Sequence, residues 1–254
     1  MSLAIPTATL VSFLLAMVRA GAWLAVSPPF SSRVIPVRVK ALLAAAIGLA
    51  VTPSLAATAP APEVAAIVSS AVEQVVVGVA LGFLTSLVFA AVEAAGSLID
   101  LFGGFSLSSA YDPLMLNQNA VFGRLYSLVA LTLLFVSDGH LLVVAGFARS
   151  YDLLPLDASL SLSTLDRVLT SGLTTMFLSA LQIAGPLIAV LFLTDIGLGL
   201  LSRVAPALNA FSLGFPAKIL LTLVLAGMTF TLLPATVNGL VDSAVRLVVG
   251  VAGQ

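Results

Sequence analysis

Four carboxylates, Glu73, Glu93, Asp100 and Asp195, lie inside long apolar runs. An ionised side chain inside a membrane needs a partner or a path to water. Glu93, Gly96 and Asp100 stand at i, i+3 and i+7, which places them on one helical face. That face leads directly into Gly103-Gly104. One reading is a polar, water-contacting face that continues into the segment beyond. The other is a helix end at the membrane interface, where a carboxylate costs little. The two are evenly matched for Asp100, whereas Glu93 is expected to contact protein or water.

His140, the single histidine, follows Asp138-Gly139. Asp138 and His140 could exchange a proton, but no nucleophile stands at a recognisable spacing and no HExxH pattern occurs. A helix break at Gly139 with a hydrogen-bonded His140 is the stronger reading. With one histidine and no cysteine, neither a multi-histidine nor a thiolate metal site can be built in one chain, and cysteine catalysis is excluded. No cofactor, metal or enzymatic activity is expected. There is no P-loop pattern, so any energy must come from partners or an ion gradient.

The elements that carry these residues are set by composition. The chain of 254 residues is 60% hydrophobic and 8% charged, against roughly a quarter charged in soluble domains. With a mean hydropathy of +1.20, it falls among integral membrane proteins. The net charge is −1, so nothing points to nucleic acid. The amino-terminal run lacks the basic start of a secretory signal, its first cation being Arg19, and is expected to be a retained first segment.

A spanning helix needs roughly 20 mostly apolar residues. Candidates run over 3–26, 41–57, 64–101, 124–147, 168–201 and 219–233. The third is too long for one straight span. The fourth is interrupted at 137–140, the fifth carries Gly185-Pro186 as an expected kink, and the stretch from Arg149 to Arg167 is a polar connection. The tail from Pro234 suits a short interfacial helix. The fold class is therefore all-α, an integral membrane bundle of roughly six long apolar helices, with 1–254 as a single membrane domain and no soluble domain. Arg33, Arg38 and Lys40 form the densest basic cluster. The positive-inside rule then places 27–40, 102–123 and 202–217 on the cytoplasmic side, although Arg149 and Arg167 disagree. Gly78 and Gly82 form a GxxxG strip for close helix approach. Packing within the chain is its default use and contact with another subunit the alternative.

Between two apolar runs lies "FGGFSLSSAYDPLMLNQNAVFG", residues 102–123, too polar for lipid and with Asp112 as its one formal charge. This stretch, "LLFVSDGHLLVVAGFARSYDLLPL" and "DIGLGLLSRVAPALNAFSLGFPAKILLTL" together resemble, in this order, the FliR family of flagellar export proteins. That family includes the equivalent subunit of virulence type III secretion systems. The resemblance covers nearly the whole chain. Gly139 and His140 fall on its second motif. Arg203, Pro206, Asn209, Phe211, Gly214, Pro216 and Lys218 fall on its third. Asp138 stands where the family often has asparagine, and Ala207 where it often has glutamine.

The resemblance implies an inner-membrane, non-enzymatic subunit of the flagellar export gate. It would form a protein-conducting pore with FliP-like and FliQ-like partners, work with FlhB-like and FlhA-like proteins and pass unfolded export substrates. It also implies helical hairpins that do not span the bilayer conventionally once assembled. In the family the loop corresponding to 102–123 is thought to help plug the pore, carried here by Gly103, Gly104, Asp112 and Pro113. The glycines would be hinges and Asp112-Pro113 a turn. Phe105, Leu107, Tyr111, Leu114, Met115 and Leu116 would supply apolar contacts at a constriction. An ungated surface or re-entrant loop is the alternative for this stretch. For the whole chain the alternatives are a virulence-system homologue and a small-solute transporter. The latter is weakened because Gly185-Pro186 has no matching break in the first half. An intramembrane enzyme is disfavoured by the missing catalytic constellation.

Overall fold

A computed structural model describes residues 6–55, 58–105, 120–157, 161–205 and 210–252; for 210–213 and 247–252 it describes the backbone. These residues form eight helices and no strand: α1 (Thr7–Val26), α2 (Val37–Leu55), α3 (Val64–Gly103), α4 (Val121–Val136), α5 (Gly139–Leu153), α6 (Leu162–Val204), α7 (Ala210–Thr229) and α8 (Leu233–Ala252). Four of them, α1, α2, α3 and α6, are long and apolar enough to cross a membrane. The bent pairs α4–α5 and α7–α8 raise the number to six if each counts as one span. The all-α membrane bundle expected from composition is what is found.

Helix ends differ from the sequence reading where prolines or tertiary contacts intervene. α2 starts at Val37, directly after Pro36, because proline fixes a helical φ and its missing N–H is not needed in a first turn. α6 remains one helix through Gly185-Pro186, the expected kink site. Pro186 removes one hydrogen bond without ending the helix. At 1.5 Å per residue, α3 and α6 are each about 60 Å long, roughly twice the hydrocarbon thickness. α5 continues to Leu153, into the stretch expected to be a polar connection. α7 continues through Pro216.

Residue contacts divide the chain into two units, each built from stretches distant in sequence. The first comprises 1–88, 138–173 and 240–254. Its centre is α1, which buries Leu15, Ala16, Arg19, Ala20, Trp23 and Leu24. The GxxxG strip of α3 lies against it. A Cβ on Gly78 would meet the Arg19 carbonyl oxygen and Ala22, and one on Gly82 would lie 3.0 Å from the Trp23 carbonyl oxygen. The strip is thus used within the chain, because only glycine lets the two backbones come this close. The Trp23 ring stacks on Phe147 of α5 at 4.3 Å.

The second unit comprises 89–137 and 174–239. In it α4 buries Phe122, Tyr126, Ala130 and Leu134, a four-residue repeat that makes one helical face. The Tyr126 hydroxyl shares a hydrogen bond with Thr229 at the end of α7, and its ring tilts against Phe230 at 5.3 Å. Within this unit the start of α8 buries Leu233 and Val237. The rest of α8 belongs to the first unit, burying Leu240, Val241 and Ala244 and exposing Asp242 and Arg246.

Candidate functional site

The flanks of the 102–123 segment form a built base. Asp100, in the last turn of α3, is only 2% exposed. Its two carboxylate oxygens accept hydrogen bonds from Phe122 N at 3.1 Å and Gly123 N at 3.0 Å. The first N–H groups of a helix lack intrahelical partners and carry its positive end. The N-cap of α4 is Ala120, which has no side chain to offer. Asp100 therefore caps α4 from 22 positions upstream. Four residues earlier, a Cβ on Gly96 would lie 2.5 Å from the Phe122 carbonyl oxygen and 2.7 Å from Gly123 N. Glycine at 96 allows the approach that lets Asp100 reach.

This arrangement differs from the polar face inferred from spacing. Gly96 and Asp100 are buried against the start of α4, whereas Glu93 is exposed. Gly103 and Gly104 differ in their settings. Gly104 has φ 85°, the left-handed conformation that commonly terminates a helix. Gly103 is instead pressed on α7, where an added Cβ would lie 2.8 Å from Thr222 Cγ2. The Phe105 ring meets the Phe122 ring edge-on at 5.1 Å, so the two ends of the segment touch. Leu107, Tyr111, Asp112, Pro113, Leu114, Met115 and Leu116 lie outside the described residues.

Two other residues singled out separately come together. Lys218 of α7 donates to both oxygens of Asp195 of α6, each at 2.8 Å. Asp195 is exposed and flanked by exposed Phe192, Leu193 and Ile196, so the pair neutralises a charge on an otherwise apolar face. Gly214 faces the flexible end of Leu198. Arg203 is exposed in the last turn of α6, where a cation complements the helix dipole. Pro206 and Asn209 lie outside the described residues, and Phe211 is described by its backbone within α7. Gly139 is buried and His140 half-buried at the start of α5, directly after Asp138, which has φ 55°. Glu73 is half-buried on α3.

The polar group that sequence reasoning passed over is Arg19. Fully buried in the first unit, its Nε donates to Gln74 Oε1 at 2.6 Å. Its Nη1 and Nη2 donate to the carbonyls of Ser150 at 3.1 Å and Leu154 at 2.8 Å. The guanidinium lies 4.4 Å from the centre of the Tyr151 ring, whose hydroxyl donates to the Ala16 carbonyl at 2.7 Å. Carbonyls at the end of α5 thus balance the cation in place of a carboxylate. The available signal was an arginine inside the first apolar run and a glutamine inside the third, both needing partners in an apolar interior.

The family model described as bacterial export proteins, family 1, matches residues 10–244. This chain belongs to that family. The export-family chain is 35% identical to the flagellar biosynthetic protein FliR of Escherichia coli K12 over 207 residues, 80% of this chain and 78% of that one. It is 32% identical to the protein of the same name from Pectobacterium carotovorum over 238 residues, 93% and 91% of the two chains. It is also 33% identical to the surface presentation of antigens protein SpaR of Shigella flexneri over 151 residues, 59% and 58% of the two. The resemblance drawn from the three motifs is borne out. Family and apolar helices together make this a multi-pass membrane protein of bacterial export.

In this export-family chain the Asp100 cap ties the end of α3 to the start of α4. Asp100→Ala leaves two buried N–H groups without an acceptor, at about 1–3 kcal/mol. The open population at the base should rise about tenfold. Limited proteolysis of the detergent-purified protein should then cleave within 102–123 correspondingly faster. Cleavage at the parental rate would show that the cap does not hold the base.

Proposed function

We propose that this chain is a subunit of the flagellar type III protein-export gate in the bacterial inner membrane. The observation that carries this is the 35% identity to Escherichia coli FliR over about four-fifths of both chains. The match to SpaR covers a shorter stretch, 59% of this chain, which favours the flagellar over the virulence machine. In this reading the chain acts as one membrane domain. It lines part of a pore with FliP-like and FliQ-like partners, next to FlhB-like and FlhA-like proteins, and passes unfolded substrates without catalysing a reaction. Supporting it are the broad apolar faces left open on α6, among them Phe177, Leu181, Phe192 and Leu193, which need lipid or neighbouring subunits to cover them.

Residues 102–123 serve in this proposal as the pore plug. The reading is supported by the base on which the segment is mounted. Asp100, Gly96 and the Phe105–Phe122 contact hold its two ends together, which keeps α3 and α4 joined at its base.

One preparation tests both levels. Tagged chain is recovered from its own host in mild detergent, as parent and with 105–117 shortened, and co-purifying proteins are identified by mass. FliP-like and FliQ-like subunits are expected with both forms, and cells carrying the shortened form should leak small solutes. A stable chain recovered without those subunits would refute the gate. Assembly with unchanged permeability would refute the plug alone.

A further inference from the structure

The turn joining α1 to α2 is a strongly charged surface that the export reading leaves unused. Arg33, Arg38 and Lys40 fall within eight residues, and the first acidic residue of the chain is Glu63. Arg33 and Arg38 are exposed and Lys40 is half-exposed. Among the described residues, none of the three side chains has an ion-pair or hydrogen-bond partner. Arg38 and Lys40 also stand in the first turn of α2, where the helix dipole adds to their positive charge. The charge is therefore concentrated, and no described side chain compensates it.

What surrounds these cations selects the partner. Val34 is 88% exposed and Val37 is 79% exposed, so apolar and cationic side chains alternate along the turn. Below it, α2 turns Leu42 and Leu49 outward, seven positions apart on one face. Both flanking helices are membrane-span candidates, which puts the turn at a membrane surface. Outward leucines meet acyl chains, valines the boundary beneath the headgroups, and the cations the phosphate level above. An acidic protein segment would be met by the cations but would leave the valines in water.

We propose that the α1–α2 turn is a binding surface for anionic phospholipid headgroups, engaged by Arg33, Arg38 and Lys40. This requires that α1 and α2 cross a membrane, as span-length helices of the chain outside an assembled gate would.

The test uses the full chain in detergent, titrated with phosphatidylglycerol and phosphatidylcholine of matched acyl chains, with retained lipid counted by native mass spectrometry. Each cation near an anionic surface favours binding roughly fivefold. The parent should therefore retain phosphatidylglycerol over phosphatidylcholine, and the triple variant Arg33→Gln, Arg38→Gln, Lys40→Gln should lower that preference at least about tenfold. Arg33→Lys with Arg38→Lys should keep it, and so should Arg246→Gln on α8. Equal retention of the two lipids by the parent overturns the proposal. So does a preference that survives the triple variant, since the lipid then sits elsewhere. A parent that ignores phosphatidylglycerol but binds a polyglutamate peptide through the same three residues overturns it in favour of an acidic protein partner.

Discussion

Arg19→Ala is expected to cost about 3–5 kcal/mol, because hydrogen bonds from a charged donor contribute about 1.5–3 kcal/mol each and three acceptors lose theirs. Arg19 holds Gln74 Oε1 and the carbonyls of Ser150 and Leu154 with three different nitrogens. Without it these acceptors stay buried and α1 is no longer tied to α3 and α5. Arg19→Lys should recover little of the loss, because one ammonium cannot replace a planar fork whose donors diverge toward three acceptors. The chain has one tryptophan, Trp23, which lies one turn from Arg19 and stacks on Phe147. Its emission on heating the detergent-purified protein reports on this core. A large drop in the midpoint for both variants is expected. An unchanged midpoint for Arg19→Lys would mean that the charge matters and the fork does not. Combining Arg19→Ala with Gln74→Leu should cost less than the sum of the two, because the pair shares one interaction.

The second large effect is a reversal of sign. Gly→Ala within a helix ordinarily stabilises by about 1 kcal/mol. At Gly96 the added Cβ would lie 2.5 Å from the Phe122 carbonyl oxygen and 2.7 Å from the Gly123 Cα, and backbone atoms cannot rotate away. α3 and α4 would have to separate, and the Asp100 hydrogen bonds one turn on would lengthen with them. Gly96→Ala should therefore destabilise by about 1–3 kcal/mol from overpacking, plus part of the cap. Gly197, on α6, has nothing within 4 Å of its Cβ position, so Gly197→Ala should be neutral or stabilising. The two variants are compared by the temperature at which each purified protein aggregates. A matched response would show that Gly96 is not a contact point. If Gly96→Ala also lowers recovery of partner subunits while Gly197→Ala does not, the α3–α4 junction matters to assembly as well as to the chain alone.

By itself the sequence determined the class of molecule. Apolar runs of span length identify a helical membrane protein because the bilayer forces backbone polar groups to pair within each helix. Gly103-Gly104 and the Ser137–His140 interruption mark helix limits because backbone conformation is a local property. The three motifs identified the export family because their order survives without knowledge of contacts. Only the tertiary structure decided what the polar and small residues do. Asp100 caps a helix 22 positions away, Arg19 meets Gln74 across 55 positions and Ser150 across 131, and Lys218 meets Asp195 across 23. Helical periodicity says which residues share a face, but not which other helix that face will meet. Hence Glu93 and Asp100, on one face by spacing, ended in different surroundings, one exposed and one sealed. The GxxxG strip was legible as a surface for close approach; that α1 would fill it was decided by the packing of helices far apart in the chain.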